Sequence, residues 1–379
     1  MNGAGSSVVL TGATGKVGTY LALFLARLGV ADVLYLCSRS AEAVATVLHN
    51  TRTCALFRES PTRVEPLPLD LLDVERTAET LGRLRPAVVV NSACLLSLYP
   101  FFPALRKRQR RMGIVAGFAH TLPKDLAVLW PLMRAVKAAS PRTVVVNLAA
   151  PDTAHAMLDG LGLSPSVGAG TIDSTAQGIR TGAARLLGVH PRQIEVCLVC
   201  HHAIRRLPVG TIPYFLRIML DGGDVTPRLS AEALIAEAVD VTGVETMSTP
   251  VTSNAAITAA SAVETARAIL EDTGQIRHAA GAQGWPGGTP VRLSRDGASV
   301  ALPHGLDPQR AREINWAGIR GTGVETIRPD GSITFTEREQ SWIREGLGLT
   351  WQEMRLEDSR AMSTELEAAY RRMDAAERV

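Results

Sequence analysis

Val8-Val9-Leu10-Thr11-Gly12-Ala13-Thr14-Gly15-Lys16-Val17-Gly18 is the stretch on which the fold turns. A short apolar run gives way to glycines at positions 12, 15 and 18, and a helical pattern follows from Lys16 to Leu28. Glycine makes the strand-to-helix turn tight and lets the backbone approach a pyrophosphate, which then rests on amide N–H groups at the helix N-terminus. Gly12, Gly15, Lys16, Val17 and Gly18 are therefore the candidate cofactor-binding residues. A plain tight turn is the alternative, and the strand before it and helix after it favour the nucleotide site.

Outward from this stretch, short apolar runs at Ser7 to Leu10, Val33 to Leu36, Ala87 to Val90 and Thr143 to Asn147 alternate with helical segments such as Leu126 to Ala139. Such alternation marks βαβ units on a parallel sheet. Residues 1–149 are expected to form a doubly wound α/β domain with its ligand at the carboxyl ends of the strands. From about Ala150 the order changes to a long helix after Asp173, a strand near Cys197, and helices over Ala231 to Val239 and Ala255 to Glu271. Gly284-Trp-Pro-Gly-Gly-Thr-Pro290 and an alternating run from Val291 to Leu302 come next, and Asp330-Gly331 signals a hairpin. A second domain over 150–345 and a helical extension over 346–379 follow from this division. The extension carries Trp351, Met354, Leu356, Met362, Leu366, Tyr370 and Met373 as its apolar members, and a covering helix is favoured over an oligomer contact.

A chain of 379 residues ordinarily holds two domains. Its net charge of +3 is too small to argue for nucleic acid. All but four of its 40 basic side chains are arginine, a bias that genome composition explains as well as phosphate or carboxylate recognition does. There is no apolar run of about 18 residues, so no membrane association is expected. Met1 to Ser7 lack a basic-then-apolar secretory pattern, and a cytoplasmic location is expected. Five cysteines in apolar or strand-like surroundings suit reduced thiols. Cys197-x-x-Cys200-His201 spells a haem-attachment pattern, but it reads as a strand, where positions three apart face opposite ways, so neither haem nor metal is expected.

Gly168-Ala-Gly-Thr-Ile-Asp173-Ser, Leu187-Gly-Val-His-Pro191 and Cys197-Leu-Val-Cys-His-His202-Ala together resemble the catalytic half of the lactate/malate dehydrogenase family, over roughly residues 7 to 320. The resemblance implies a Rossmann doubly wound parallel sheet followed by an α+β catalytic domain of that type, and a homo-oligomer. It implies that His202 is the acid/base, Asp173 its orienting partner, Asn147 a hydrogen-bond donor to the substrate oxygen, and Ser253 a pocket residue. Asp173 also reads as a helix cap, and Asn147 as a strand-end turn residue.

At the end of the second strand, NAD enzymes usually place a carboxylate that repels a 2′-phosphate. Here the sequence is Leu36-Cys37-Ser38-Arg39-Ser40, a guanidinium flanked by two hydroxyls, similar to the Gly-Ser-Glu-Arg-Ser segment of NADP-specific malate dehydrogenases. NADP(H) is the expected cofactor, through Ser38, Arg39 and Ser40. A solvated loop arginine is the plainer alternative.

Two departures bear on substrate. The family's substrate-carboxylate arginine three residues after the aspartate is Ala176 here, with Arg180 four positions further on. The mobile loop of the family is replaced by Leu95-Leu-Ser-Leu-Tyr-Pro-Phe-Phe-Pro103 and Arg106-Lys-Arg-Gln-Arg-Arg111. The apolar part points to a larger or greasier substrate. Arg106, Arg108 and Arg111, with Arg180, are the candidates to hold a carboxylate or phosphate; the basic run could instead dock an acidic carrier protein, or be simply solvated. The leading expectation is an NADP(H)-dependent oxidoreductase acting on a 2-oxo/2-hydroxy acid or related small-molecule carbonyl. The alternatives are a nucleotide-binding regulatory or scaffold protein that has lost catalysis, and a short-chain dehydrogenase-like reductase. The last would use Tyr-x-x-x-Lys, and none of Lys16, Lys107, Lys124 and Lys137 follows a tyrosine at that spacing.

Overall fold

Strand β1 (Ser7–Thr11) is buried along its whole length, as expected where helices cover both faces of a parallel sheet. The turn at Gly12 feeds α1 (Lys16–Leu28), which Gly29 ends in the left-handed conformation. The alternation continues through β2 (Val33–Ser38), α2 (Ala41–Leu56), β3 (Arg63–Pro68), α3 (Val74–Leu84), β4 (Val88–Asn91), α4 (Phe102–Met112), α5 (Leu122–Ala139), β5 (Val144–Asn147), α6 (Pro151–Asp159) and β6 (Val167–Gly168). The strands pair in parallel in the order β3-β2-β1-β4-β5-β6. This is the doubly wound arrangement, and its order reverses between β1 and β4, where such sheets open a ligand crevice. The computed structural model describes residues 6–139, 142–205, 207–208, 210–241 and 254–378.

Two strands of this sheet lie outside the sequence expectation. β3 contains Pro66 and Pro68, which argue against a strand in mid-sheet, and it is accommodated because it forms the sheet edge. β6 has only two residues, and it carries the sheet to Gly168, past the expected boundary at 149.

The second part comprises α7 (Thr171–Leu187), β7 (Ile194–Val199), β8 (Phe215–Leu220), β9 (Gly223–Asp224), α8 (Ala231–Val241), α9 (Ala255–Leu270), β10 (Ile276–Ala280), β11 (Gly288–Ser294), β12 (Gly297–Val300) and α10 (Pro308–Gly321). It holds two antiparallel sheets, β7-β8-β9 and β10-β11-β12. Helix α9 brings Ala259, Ala262 and Ala266 into one apolar cluster with Leu21, Ala22 and Leu25 of α1, which joins the two parts.

The expected hairpin at Asp330-Gly331 is present as β13 (Val324–Ile327) and β14 (Ile333–Phe335). After α11 (Glu337–Ser341) and β15 (Glu353–Met354), helix α12 (Ser359–Arg378) returns to the first domain. Its Leu366, Ala369, Tyr370 and Met373 pack among Leu98, Phe101, Phe102 and Leu105. A buried polar knot locks this closure. Glu339 accepts from the amides of Gly117 (2.7 Å) and His120 (3.0 Å) and lies 2.6 Å from His120 Nδ1, while His120 Nε2 is 2.8 Å from the Tyr370 hydroxyl. Among the described residues no helix is long and apolar enough to cross a membrane.

Candidate active site

The cradle after β1 is shaped by steric necessity. Gly12 has φ +69°, and a Cβ there would lie 2.7 Å from the Ala93 nitrogen. A Cβ on Gly18 would lie 2.0 Å from the Gly12 carbonyl oxygen, so α1 can approach the turn only with glycine at that position. Gly15 caps α1 without a side-chain hydrogen bond, and the first turn carries no acidic residue. The helix therefore presents amide N–H groups and the positive end of its dipole beside Lys16, a fit for a pyrophosphate. At the far end of this edge, Arg39 is exposed, and the Ser40 hydroxyl caps α2 by accepting the Ala43 N–H (3.1 Å).

The carboxyl ends of β1, β4 and β5 bring Thr11, Asn91 and Asn147 side by side. Thr11 Oγ1 donates to Asn91 Oδ1 (2.6 Å), Asn91 Nδ2 to Asn147 Oδ1 (2.8 Å), and Asn147 Nδ2 to His155 Nε2 (3.0 Å). His155 Nδ1 donates to the Gly281 carbonyl (2.9 Å), and burial holds this imidazole neutral, its pKa pulled down to about 4. Asn147 also donates to the Ala149 carbonyl (2.9 Å) and accepts the Ala149 N–H (3.1 Å). Both donors and both acceptor positions of its amide are filled, and the side chain is fully buried. Instead of reaching a substrate oxygen, Asn147 is the centre of a ladder that stiffens the strand ends.

A cavity of about 350 Å³ runs from Gly15, Lys16 and Val17 to Asp152, Thr153, His201, His202 and Arg205. That is within the range of small-molecule sites. Its side wall is apolar and aromatic, with Leu96, Leu98, Tyr99, Phe102 and Phe118. Lys124 and Asp125 also line it and form an ion pair of 2.6 Å. Burial alone would lower the Lys124 pKa, but the charge of Asp125, with Cys94 and Tyr99, outweighs it and holds the ammonium above its ordinary range.

The expected acid/base residue, His202, is on this wall, in the turn His202–Arg205 that follows β7. Its backbone N–H donates to Asp152 Oδ1 (3.0 Å). Asp152 belongs to the first turn of α6, and burial pushes its pKa up to about 6 against the opposing hydrogen bonds. His201 stabilises the turn: its Nδ1 accepts the Ala203 N–H (3.0 Å), its Nε2 lies 3.4 Å from Thr153 Oγ1, and burial pulls its pKa down to about 3. Arg205, which sequence reasoning passed over, is the buried guanidinium of the cavity. It donates to Ser174 Oγ (3.1 Å), and burial lowers its pKa to about 10. Its only sequence signal is its position three residues after His202.

Several expected site residues are elsewhere. Asp173 is buried and accepts from Arg277 (2.6 Å) and Ser261 (2.8 Å), so its charge is spent on a guanidinium from β10 and not on His202. Arg180 donates through Nε to the Pro191 carbonyl (2.6 Å), pinning α7 to the following turn, and does not line the cavity. The basic run in α4 docks on the C-terminal helix. Arg111 and Arg108 lie 2.7 and 3.8 Å from the Glu377 carboxylate, and Lys107 donates to the Glu377 carbonyl (2.6 Å). Arg106, Arg108 and Arg111 are absent from the cavity lining, and Arg108 and Arg111 are drawn to Glu377 instead. Ser253 lies outside the described residues, although its neighbour Asn254 lines the cavity.

No family model matches the sequence, and no curated protein matches it. Solved structures do. Malate dehydrogenase from Cryptosporidium parvum superposes with a TM-score of 0.59 at 16% identity, covering 84% of this chain and 96% of that one. Lactate dehydrogenase from the same organism, in complex with lactic acid and β-nicotinamide adenine dinucleotide, gives 0.60 at 16% identity with the same coverage. Malate dehydrogenase from Salinibacter ruber gives 0.57 at 19% identity, covering 83% and 95%. With its six-stranded parallel sheet and the antiparallel sheets that follow, this chain has the two-part fold of the lactate and malate dehydrogenases.

Proposed function

We propose that the chain is an NADP(H)-dependent oxidoreductase that interconverts a 2-oxo acid, or a related carbonyl compound bearing an anionic group, with its 2-hydroxy counterpart. The carrying observation is that one cavity joins the glycine cradle at Gly15, Lys16 and Val17 to His202 and Arg205. A bound nicotinamide would supply or accept the hydride. The chain's own residues do the rest. The α1 N-terminus and Lys16 hold the phosphates, and exposed Arg39 pairs with a 2′-phosphate. Arg205 is well buried, so water competes weakly for its guanidinium and a substrate carboxylate is strongly favoured there. His202 serves as acid/base toward the substrate oxygen. The apolar wall around Tyr99 and Phe102 accommodates a substrate larger than pyruvate or oxaloacetate.

The test is a fluorescence titration of the protein with NADPH and NADH at fixed ionic strength, repeated with Arg39→Ala, followed by turnover on a panel of 2-oxo acids of increasing side-chain size. Tight NADPH and weaker NADH binding, a selective loss of NADPH affinity in the variant, and turnover that fails in His202→Ala are expected. Equal losses for both nucleotides refute the phosphate role of Arg39. One observation favours a second reading, a nucleotide-binding module without catalysis: Asp173 and Asn147 are both consumed by internal hydrogen bonds. NADPH binding with no turnover across the panel selects that reading.

A further inference from the structure

Reducing a carbonyl requires a proton for the substrate oxygen, and most titratable groups around the cavity are committed. Lys124 and Asp125 neutralise one another. Lys16 Nζ lies 4.6 Å from the centre of the Tyr99 ring. His201 accepts a backbone amide through Nδ1, so its proton is on Nε2, toward Thr153. Burial first, together with neighbouring Asp125, keeps the Cys94 thiol above its ordinary range despite the charge of Lys124. Asp173 is engaged by Arg277 away from the cavity. Asp152 remains beside His202. It is among the cavity's lining residues, at the start of α6, and its Oδ1 accepts the His202 amide.

We infer that Asp152 is a further acid–base residue of this site, resupplying His202 with the proton that the imidazole gives to the substrate oxygen in reduction and taking that proton back in oxidation. The inference rests on the reductase reading. In the reducing direction the His202 N–H bond breaks as the new O–H bond forms on the substrate oxygen, the Asp152 O–H bond breaks as the imidazole recovers its proton, reduced nicotinamide would be the hydride source, and solvent water reprotonates the carboxylate. Lys16, His201, His202, Arg205 and the Lys124–Asp125 pair line the same cavity as Asp152, and Cys200 at the end of β7 interacts with its charge. The carboxylate among them, Asp125, is paired with Lys124 at 2.6 Å. An Asp152 that titrates near 6 is protonated in a useful fraction at mildly acid to neutral pH. The rate of reduction then falls as pH rises through that value.

The experiment pairs two readouts on the full chain. Carbon-13 NMR of aspartate carboxyls, without nucleotide, should show one resonance titrating near 6 that disappears in Asp152→Asn. Asp152→Asn keeps an acceptor for the His202 amide and should bind NADPH within about twofold of wild type while turnover falls about 100-fold or more and the basic limb of the pH profile is lost. Asp152→Glu, which restores a carboxyl, should recover part of that loss. Wild-type turnover and pH profile in Asp152→Asn overturn the inference alone, as does a carboxyl that titrates in the ordinary aspartate range. A wild-type protein that binds NADPH but reduces no member of the oxo acid panel overturns the reductase reading, and this inference with it.

Discussion

Replacing Asp173 by alanine separates two roles for this residue. In the structure its carboxylate receives Arg277 at 2.6 Å and Ser261 at 2.8 Å, and the side chains of Asp173 and Arg277 are 2% and 14% exposed. Removing one member of a buried pair leaves the other charge uncompensated and costs about 3–5 kcal/mol. Because Arg277 keeps some contact with water, the low end applies, about 3 kcal/mol, with up to about 1 kcal/mol more for the lost Ser261 acceptor. A loss of about 3 kcal/mol lowers the folding constant by roughly 100-fold. Nearby His278, already kept neutral by burial, loses the carboxylate that favours its charged form and becomes harder still to protonate. Urea denaturation at pH 7.5, with the midpoint and slope followed by circular dichroism, measures the change. Asp173→Asn, which keeps the shape but not the charge, should fall between wild type and alanine. Destabilisation below about 1 kcal/mol together with a turnover loss above about 100-fold would refute the argument and return Asp173 to the acid–base pair that the family resemblance implies.

Three other perturbations have clear expected outcomes. Gly18→Ala places a Cβ 2.0 Å from a backbone carbonyl oxygen, so α1 must withdraw from the cradle. NADPH affinity should drop at least about tenfold and stability by about 1–3 kcal/mol, seen in fluorescence titration and thermal unfolding, whereas unchanged affinity would count against the cradle. Arg205→Ala should raise KM for a carboxylate-bearing substrate about 10- to 100-fold, the worth of a charged hydrogen-bonded contact, and a KM unaffected by the change removes Arg205 from substrate binding. Burial pulls the pKa values of His155, His201 and His278 down to about 4, 3 and 4, so their stabilising contribution is complete above the unfolded value of 6.5 and is lost as pH falls below it. At pH 5 each loses about 2 kcal/mol, while Asp152, whose pKa is raised, gains about 1 kcal/mol in the opposite sense, for a net loss of about 4–5 kcal/mol against pH 7.5. Equal denaturation midpoints at pH 5 and 7.5 would show that these imidazoles titrate in the folded chain as they do in the unfolded one.

The sequence by itself determined the features that depend on neighbours along the chain. The turn from Val8 to Gly18 required a strand, a tight corner and a helix, and β1 and α1 are where it places them. Apolar runs at Val33, Ala87 and Thr143 marked the inner strands, and Asp330-Gly331 marked its hairpin. Edge strand β3 was not legible, because Pro66 and Pro68 argue against a strand until its place at the sheet edge is known. His202 was implied at the site by the resemblance of its turn to that of the lactate/malate dehydrogenases, and that turn lines the cavity.

Tertiary structure alone decided which charges meet. Asp173 and Arg277 are 104 residues apart in the chain, and no local pattern tells an aspartate that orients a histidine from one that neutralises a guanidinium. The basic run in α4 has the composition of a ligand clamp, but Glu377, reached only when α12 folds back, takes up Arg108 and Arg111. Conversely, Arg205 and Asp152 look ordinary in sequence and acquire their character from burial at one end of a shared cavity. Backbone geometry follows from steric limits that act over a few residues. The ionisation and partnership of a side chain depend on the dielectric and charges around it, and distant segments supply those only when the chain has folded.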